Sequence, residues 1–342
     1  MRLRTAITRA ITRPVTTAVT MAVTMAVTTV ITTTLAAAPL TAQAISTAGV
    51  ERDTGQPHSW RLAYDNDFFT ATDRYYTQGI VLELFDPRLA RLSAILLRGP
   101  RGSSLRTGIA YQDDGYTPSD LKAPGILRGD HPYVGTKQLR ILGIAIDTLR
   151  RQRITSSLTL GIIGQGAGGA AIQTWIHRQT GNTTPRGWVH QIRNDAIVNY
   201  EAGIEREVLR AGRSLLLTTS GVARLGTYNT ALTAGTTLML GRVGTPFSAR
   251  PASRREAYLY VKPQLNVVGY DATLQGGMFN RSSPYTIATG DVARLVYRQQ
   301  VGIVYRSGSK FIEYYRTDAT REFRGAIAHR SGGFLVGVTR GR

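Results

Sequence analysis

An acidic and hydroxyl-rich stretch at residues 64–79 carries the oxygen ligands that a hard metal ion prefers. It reads Tyr-Asp-Asn-Asp-Phe-Phe-Thr-Ala-Thr-Asp-Arg-Tyr-Tyr-Thr-Gln-Gly and contains Asp65, Asn66, Asp67 and Asp73. Three carboxylates in so short a span repel one another unless a cation lies among them, and Ca²⁺ binds carboxylate, carbonyl and hydroxyl oxygens. A solvated acidic loop is the commoner outcome for such a cluster, so composition alone leaves both interpretations open.

A second stretch combines a glycine-rich run with a histidine at helical spacing. Residues 164–178 read Gly-Gln-Gly-Ala-Gly-Gly-Ala-Ala-Ile-Gln-Thr-Trp-Ile-His-Arg. Ile172 and Ile176 share one face of the predicted helix, while Gln173 and His177 share another at a spacing of four residues. A short helix in a long loop would hold His177 at a defined position, and histidine is the usual general base near neutral pH. A lone histidine is more often structural, so its role stays open on this ground alone.

The elements that position these residues are predicted from an alternation of period two. In the stretch around 258–267, apolar side chains occupy every second position and polar or aromatic side chains occupy the others. One face carries Leu259, Val261, Pro263, Leu265 and Val267, and the other carries Tyr258, Tyr260, Lys262, Gln264 and Asn266. Because successive side chains of a strand point to opposite faces, this pattern is typical of a barrel with lipid outside and water inside.

Twelve segments of this kind predict an all-β fold, a 12-stranded antiparallel transmembrane β-barrel with a short helix in a long loop. They lie near 58–66, 77–86, 104–112, 137–147, 153–163, 196–207, 213–226, 229–243, 256–270, 291–306, 309–318 and 332–340. Short turns alternate with long connections at 113–136, 164–195 and 271–290, and an even strand number is usual for bacterial barrels. Tyrosines near strand ends, among them Tyr258, Tyr305, Tyr314 and Tyr315, are expected at the membrane interfaces. A soluble β-sandwich is the alternative.

The first 44 residues have the features of a signal peptide. Four arginines precede a Val/Ala/Met/Thr stretch, and Ala42-Gln43-Ala44 provides the small residues of a cleavage site. A transmembrane anchor would need about 20 continuous apolar residues, and recurring threonines make this stretch only weakly apolar. We therefore expect residues 1–44 to be a signal peptide and residues 45–342 to form the barrel domain.

The charge of the chain indicates a phosphate-bearing partner. The formal net charge of +20 falls to +16 when the four arginines of residues 1–44 are removed, and lysine contributes only four of the remaining cations. Arginine suits bidentate phosphate recognition. Export argues against nucleic acid and favours a membrane surface or a phosphorylated glycolipid, with a genomic bias toward arginine as the alternative. The chain has no cysteine.

Several motifs, spread in order over nearly all of residues 45–342, resemble those of the lipid A 3′-O-deacylase family of outer-membrane barrels. They are Asp65 to Phe69, Thr72 to Gly79, Tyr116-Thr117-Pro118, Asp130 to Gly135, Gln173 to His177, Gly187-Trp188 with Gln191 and Asn194, Tyr270 to Gly276, and Glu322-Phe323. The resemblance implies a twelve-stranded barrel that uses calcium and a histidine to hydrolyse an ester of lipid A.

The resemblance also implies roles for individual residues. His177 corresponds to the catalytic histidine that activates water, and Asn66 and Asp67 correspond to the pair at the metal and oxyanion site. Thr77 corresponds to the threonine beside that pair, and Lys122 lies close to the position of a lysine that binds substrate phosphate. Two departures are His131, where the family often has arginine, and Thr183, where some members carry an acidic residue.

Together these observations predict an enzyme of the bacterial outer membrane. We expect a monomeric lipid A deacylase that acts on lipopolysaccharide in the outer leaflet, with a His177-activated water and calcium. No Gly-x-Ser-x-Gly motif is present, which favours attack by water over an acyl-enzyme. The alternative is a barrel without catalysis, either a small porin or a lipid-binding member.

Overall fold

Twelve antiparallel β-strands close into a single barrel. The computed structural model describes residues 49–70, 75–248, 255–327 and 329–340. The strands are β1 (His58–Asn66), β2 (Tyr75–Phe85), β3 (Ser104–Thr117), β4 (Val134–Asp147), β5 (Gln152–Ile163), β6 (Asp195–Ala211), β7 (Leu215–Gly226), β8 (Asn229–Arg242), β9 (Arg255–Asp271), β10 (Leu295–Ser307), β11 (Lys310–Ala319) and β12 (His329–Arg340). The predicted fold is confirmed. The predicted signal peptide, residues 1–44, lies outside the described residues.

The ring is closed by pairing between the first and last strands. Each strand pairs with its neighbour in the chain, and β1 also pairs with β12 from His58 opposite Arg340 to Asn66 opposite Gly332. Backbone N–H and C=O groups of every strand therefore find partners within the wall, as a bilayer requires. The two-sheet sandwich considered from the sequence is wrong, since its sheets would keep open edges.

The two faces of the wall differ as the alternation predicted. Leu139, Leu259 and Ile303 lie exposed on the outer surface, whereas Tyr260 and Lys262 are buried and face the lumen. The tyrosine prediction is partly wrong. Tyr258 and Tyr315 are buried inside the barrel, while Tyr305 and Tyr314 are about half exposed. The error arises because a tyrosine at an inward register position packs in the lumen whatever its height along the strand.

The two ends of the barrel also differ. The two longest connections, 164–194 and 272–294, emerge at one end together with 118–133, while β1 begins, β12 ends and the 86–103 connection lies at the other. Outer-membrane barrels have longer extracellular loops and shorter periplasmic turns, so we call these the extracellular and periplasmic ends. The connections carry α1 (Gly169–Thr180), α2 (Ala272–Gln275) and several 3₁₀ turns. Among the described residues, no helix is both long and apolar enough to cross a membrane.

Candidate active site

The helix predicted after the glycine-rich stretch is present as α1. It lies against β4, and two glycines allow the close approach. A Cβ atom on Gly135 would lie 3.1 Å from the backbone nitrogen of Gly169, and one on Gly169 would lie 2.9 Å from the Trp188 ring. Gly168 precedes the helix with φ of 74°, a left-handed conformation that favours glycine. The glycine-rich stretch therefore places α1 in backbone contact with the barrel wall.

α1 covers the outer, lipid-facing side of the wall. Gly135 lies four residues before Leu139 on β4, and residues at even spacing share a face of a strand. Leu139 is 65% exposed on the outer surface. Because Gly135 is the residue that touches α1, the helix rests outside the barrel near its extracellular end. The site between helix and wall is therefore adjacent to the outer leaflet and not within the lumen.

Gln173 connects α1 to the wall through its side-chain amide. Its Nε2 atom donates to the Thr77 hydroxyl at 2.8 Å, and its Oε1 atom accepts from Trp188 Nε1 at 2.7 Å. An indole N–H can only donate, so the orientation of this amide is fixed. Gln173, Thr77 and Trp188 are all buried. The Thr77 hydroxyl oxygen accepts the hydrogen bond from Gln173. Because Gln173 does not receive the hydroxyl hydrogen, Thr77 can donate that hydrogen to a different group.

Asn66 is joined to the same threonine. Its Nδ2 atom donates to the Thr77 carbonyl oxygen at 2.5 Å and to the Tyr64 hydroxyl at 3.1 Å. Both amide hydrogens are thus engaged, so Asn66 could contribute only its side-chain oxygen to the metal and oxyanion site that the resemblance implies. Asp67 follows in a 3₁₀ turn and is buried, and the Thr70 hydroxyl donates to its carbonyl oxygen at 2.8 Å.

His177 lies one turn after Gln173 on the same face of α1. Side chains four residues apart on a helix lie about 6 Å from each other, and His177 is 95% buried. Its Nδ1 atom lies 2.6 Å from the carbonyl oxygen of Thr183. A carbonyl can only accept, so Nδ1 carries a hydrogen, and in the neutral ring Nε2 keeps its lone pair. This is the tautomer that a general base needs.

Lys122 lies exposed on the neighbouring connection, residues 118–133. The preceding residue, Leu121, packs with Tyr133 and Trp188, and its carbonyl oxygen accepts from the backbone of Arg186 at 3.0 Å. Lys122 therefore projects from the same side of the barrel as α1. The structure brings Asn66, Asp67, Thr77 and His177 to the extracellular end, with Lys122 beside them, and their catalytic roles remain predictions.

The acidic residues around Asn66 do not converge as the sequence suggested. Asp65 points into the lumen, where its carboxylate faces Arg298 and Arg52, because strand alternation places it opposite Asn66. Asp73 lies outside the described residues. Within the described ranges, no group of three or more His, Cys, Asp or Glu side chains converges. Asp67, Asn66 and Thr77 carry carboxylate, amide and hydroxyl oxygens, which would suit calcium better than a soft metal.

Three participants were not selected as site residues from the sequence. Gln173, within the predicted helix, and Trp188, after it, were identified only as parts of the family motifs, although a helix in a long loop needs polar or aromatic side chains that hold it to the wall. The backbone carbonyl of Thr183 carried no signal, since side-chain identity does not report it. Spacing of four residues between Gln173 and His177 was the available indication that both reach the same surface.

A closed barrel with an apolar outer surface and a polar lumen defines an outer-membrane protein of bacteria. The chain belongs to the LpxR family, since the family described as "Outer membrane protein LpxR" matches residues 25–339. This confirms the family predicted from the motifs. No curated protein sequence matches the chain.

Three solved structures of outer-membrane proteins are similar to the chain. LpxR from Salmonella typhimurium has a TM-score of 0.68 at 17% identity, covering 82% of this chain and 100% of that one. The β-domain of the Bordetella autotransporter BrkA has a TM-score of 0.43 at 11% identity, covering 84% and 100%. The KdgM porin has a TM-score of 0.39 at 6% identity, covering 83% and 99%. The similarity to LpxR from Salmonella typhimurium extends over the whole of that chain and shows a shared fold.

Proposed function

We propose that this outer-membrane protein is a lipid A deacylase that hydrolyses an ester-linked acyl chain, at the 3′ position, with a water activated by His177. The observation that carries the proposal is the connection from Asn66 through Thr77 to Gln173, which brings β1, β2 and the His177-bearing helix together. The site lies on the outer wall beside the leaflet that holds the lipid.

The proposed chemistry follows from the donor and acceptor pattern. Nε2 of His177 takes a proton from water as the water oxygen attacks the ester carbonyl, and later returns it to the sugar oxygen when the C–O bond breaks. The Nδ1–H bond to Thr183 keeps the ring in this tautomer. The Thr77 hydroxyl hydrogen, not needed by Gln173, is available to the oxyanion.

Asp67 and the oxygen of Asn66 would hold a calcium ion. Such an ion supplies positive charge that polarises the ester carbonyl. With a single carboxylate among the described ligands, its affinity should be modest and set largely by neutral oxygens. Lys122 and nearby arginines would hold the lipid phosphates.

The test is mass spectrometry of lipid A incubated with the purified protein, with calcium or with EDTA. We expect loss of one acyl chain, dependence on calcium, and a rate lower by roughly 10²- to 10⁴-fold in His177→Ala. His190→Ala is the matched control, because it changes a histidine in the same connection and should keep the wild-type rate. Unchanged release in His177→Ala would remove the mechanism, and absence of acyl release with ion conductance would favour a porin.

A further inference from the structure

The segment that precedes β1 enters the lumen at the periplasmic end. Residues 50–54 are all buried, although they belong to no strand. Gly49 lines the luminal cavity together with Glu205, Lys262 and Gln264. Since β1 begins at the periplasmic rim, the described chain runs from the cavity down to that rim before it turns up into the wall.

Three consecutive charged residues of this segment each meet an opposite charge on the wall. Glu51 accepts from Lys262 on β9 at 2.9 Å. Arg52, 1% exposed, donates to both carboxylate oxygens of Glu313 on β11 at 2.8 Å, and its guanidinium lies 4.3 Å from the Tyr315 ring centroid.

Asp53 completes the series. Its carboxylate accepts from Arg106 on β3 at 2.6 Å and lies 3.3 Å from Arg153 on β5. The charges of Glu51, Arg52 and Asp53, negative, positive and negative, thus meet one cation, one anion and two cations on the wall. Buried charges of this kind are tolerated only when they are paired, so the segment and the wall are complementary in sign at each of three positions.

The backbone of the segment is bound as well. Val50 N donates to Glu205 on β6 at 3.1 Å, and the carbonyl oxygens of Arg52 and Asp53 accept from Arg61 on β1 and Arg306 on β10. The contacts therefore come from β1, β3, β5, β6, β9, β10 and β11, which surround the lumen. Because its contacts come from strands on different sides of the barrel, the segment lies across the periplasmic end of the lumen.

We propose that residues 49–54 form a resident plug that closes the periplasmic mouth of the barrel, recognised by the charge order Glu51-Arg52-Asp53. The plug makes the lumen inaccessible from the periplasm and is separate from the site beneath α1. Opening it should leave lipid hydrolysis unchanged, so this inference and the proposed function stand or fall separately.

The test uses a cysteine reporter, because the chain contains no cysteine. Ser220, which lines the cavity, is replaced in Ser220→Cys, and labelling by a charged thiol reagent is followed in lipid nanodiscs. Deletion of residues 49–54 should accelerate labelling roughly tenfold or more, since labelling then no longer requires an opening of the plug. Ser309→Cys in an exposed periplasmic turn is the control and should react equally fast with and without the deletion.

Adding the plug segment as a separate peptide tests whether the barrel wall recognises its charge order. A synthetic peptide of residues 49–57 should slow labelling of the deletion variant, and the same peptide with Arg52→Glu should not. If the deletion does not fold, full-length Arg52→Glu should show fast labelling, and Arg52→Glu combined with Glu313→Arg should restore protection. Equal labelling rates in the intact and plug-deficient proteins would overturn the proposal, as would protection by both peptides alike.

Discussion

Nδ1 of His177 donates to the backbone carbonyl of Thr183, six residues further along the chain, at 2.6 Å. This contact spans the end of α1, where the Asn182 backbone also donates to the His177 carbonyl at 2.9 Å. The orienting partner of the histidine is thus a main-chain group, and the side chain at position 183 is exposed. Thr183, which stands where some family members carry an acidic residue, can therefore hold the tautomer of His177 through its backbone alone.

The first prediction concerns position 183. Thr183→Ala should keep the deacylation rate within about twofold, because the carbonyl remains. Insertion of one glycine after Gly181 should lower kcat by roughly 10- to 100-fold, since a shift of about 1 Å at a catalytic group is costly. Rate measurement with purified lipid A, and ¹⁵N NMR of the histidine tautomer, would check both. Loss of activity in Thr183→Ala would contradict the backbone assignment.

The second prediction concerns the indole of Trp188. Trp188→Phe keeps the ring packed against Tyr133, whose centroid lies 5.0 Å away, but removes the donor to Gln173 Oε1. Loss of this bond should cost about 1 kcal/mol, or roughly a fivefold rate reduction, together with faster hydrogen exchange in α1. An unchanged exchange rate would show that Gln173 is held by other contacts. Val189→Ala, an exposed neighbour, provides the control.

The third prediction tests the contact between helix and wall. Gly135→Ala places a Cβ 3.1 Å from Gly169 N, so α1 must shift by a few tenths of an ångström, and Gly135→Val should displace it further. We expect activity to fall in that order, by roughly 100-fold for valine, with heat-modifiable migration of the barrel retained. Gly125→Ala is the control, because a Cβ there meets nothing within 4 Å. Equal activity of the two Gly135 variants would argue against a docked helix.

The fourth prediction concerns acid stability. Burial lowers the pKa of His131 to about 4, and its ring stacks on Tyr116 at 5.3 Å. The unfolded chain takes up this proton near pH 6.5 and the folded protein only near pH 4. The free energy of unfolding therefore falls as pH decreases through this interval, by up to about 3 kcal/mol from this group, and is unaffected by it above that range.

His131→Phe should keep the stack and remove this loss. The check is denaturant unfolding at pH 7 and pH 4.5, with the difference between the two pH values compared for the wild type and the variant. His190→Phe serves as the control for a histidine outside the cluster. An equally large difference in His131→Phe would assign the acid sensitivity to other groups.

The fold was largely predictable because strand alternation reports which face meets lipid. Leu259 and Lys262 were assigned to the correct faces from spacing alone. The end of β3 was missed, since Asp113-Asp114-Gly115 reads as a turn. In the structure the strand continues to Thr117, and Asp114 is held inside by Gln112 and Tyr76. Such long-range partners are not visible in a local pattern.

The candidate site was predictable only in part. Asn66, Asp67, Thr77 and His177 were predicted through motif resemblance, and their roles stay predictions, whereas alternation alone could have shown that Asp65 faces the lumen. The plug was missed because residues 49–57 lack periodicity. The sequence feature that could have indicated it is the run of three alternating charges, Glu51-Arg52-Asp53, which begins seven residues after the end of the predicted signal peptide.

Because α1 lies outside the barrel, the substrate concentration that matters for the proposed site is the concentration in the plane of the membrane. A lipid that reaches the cleft between α1 and β4 travels sideways within its own leaflet and need not be extracted into water. Encounter frequency then depends on how many such molecules occupy each unit of membrane area and how fast they diffuse in the plane. Kinetic constants for this chain should accordingly be expressed against mole fraction in a bilayer, and dilution with an inert lipid should slow turnover even when the bulk amount is constant.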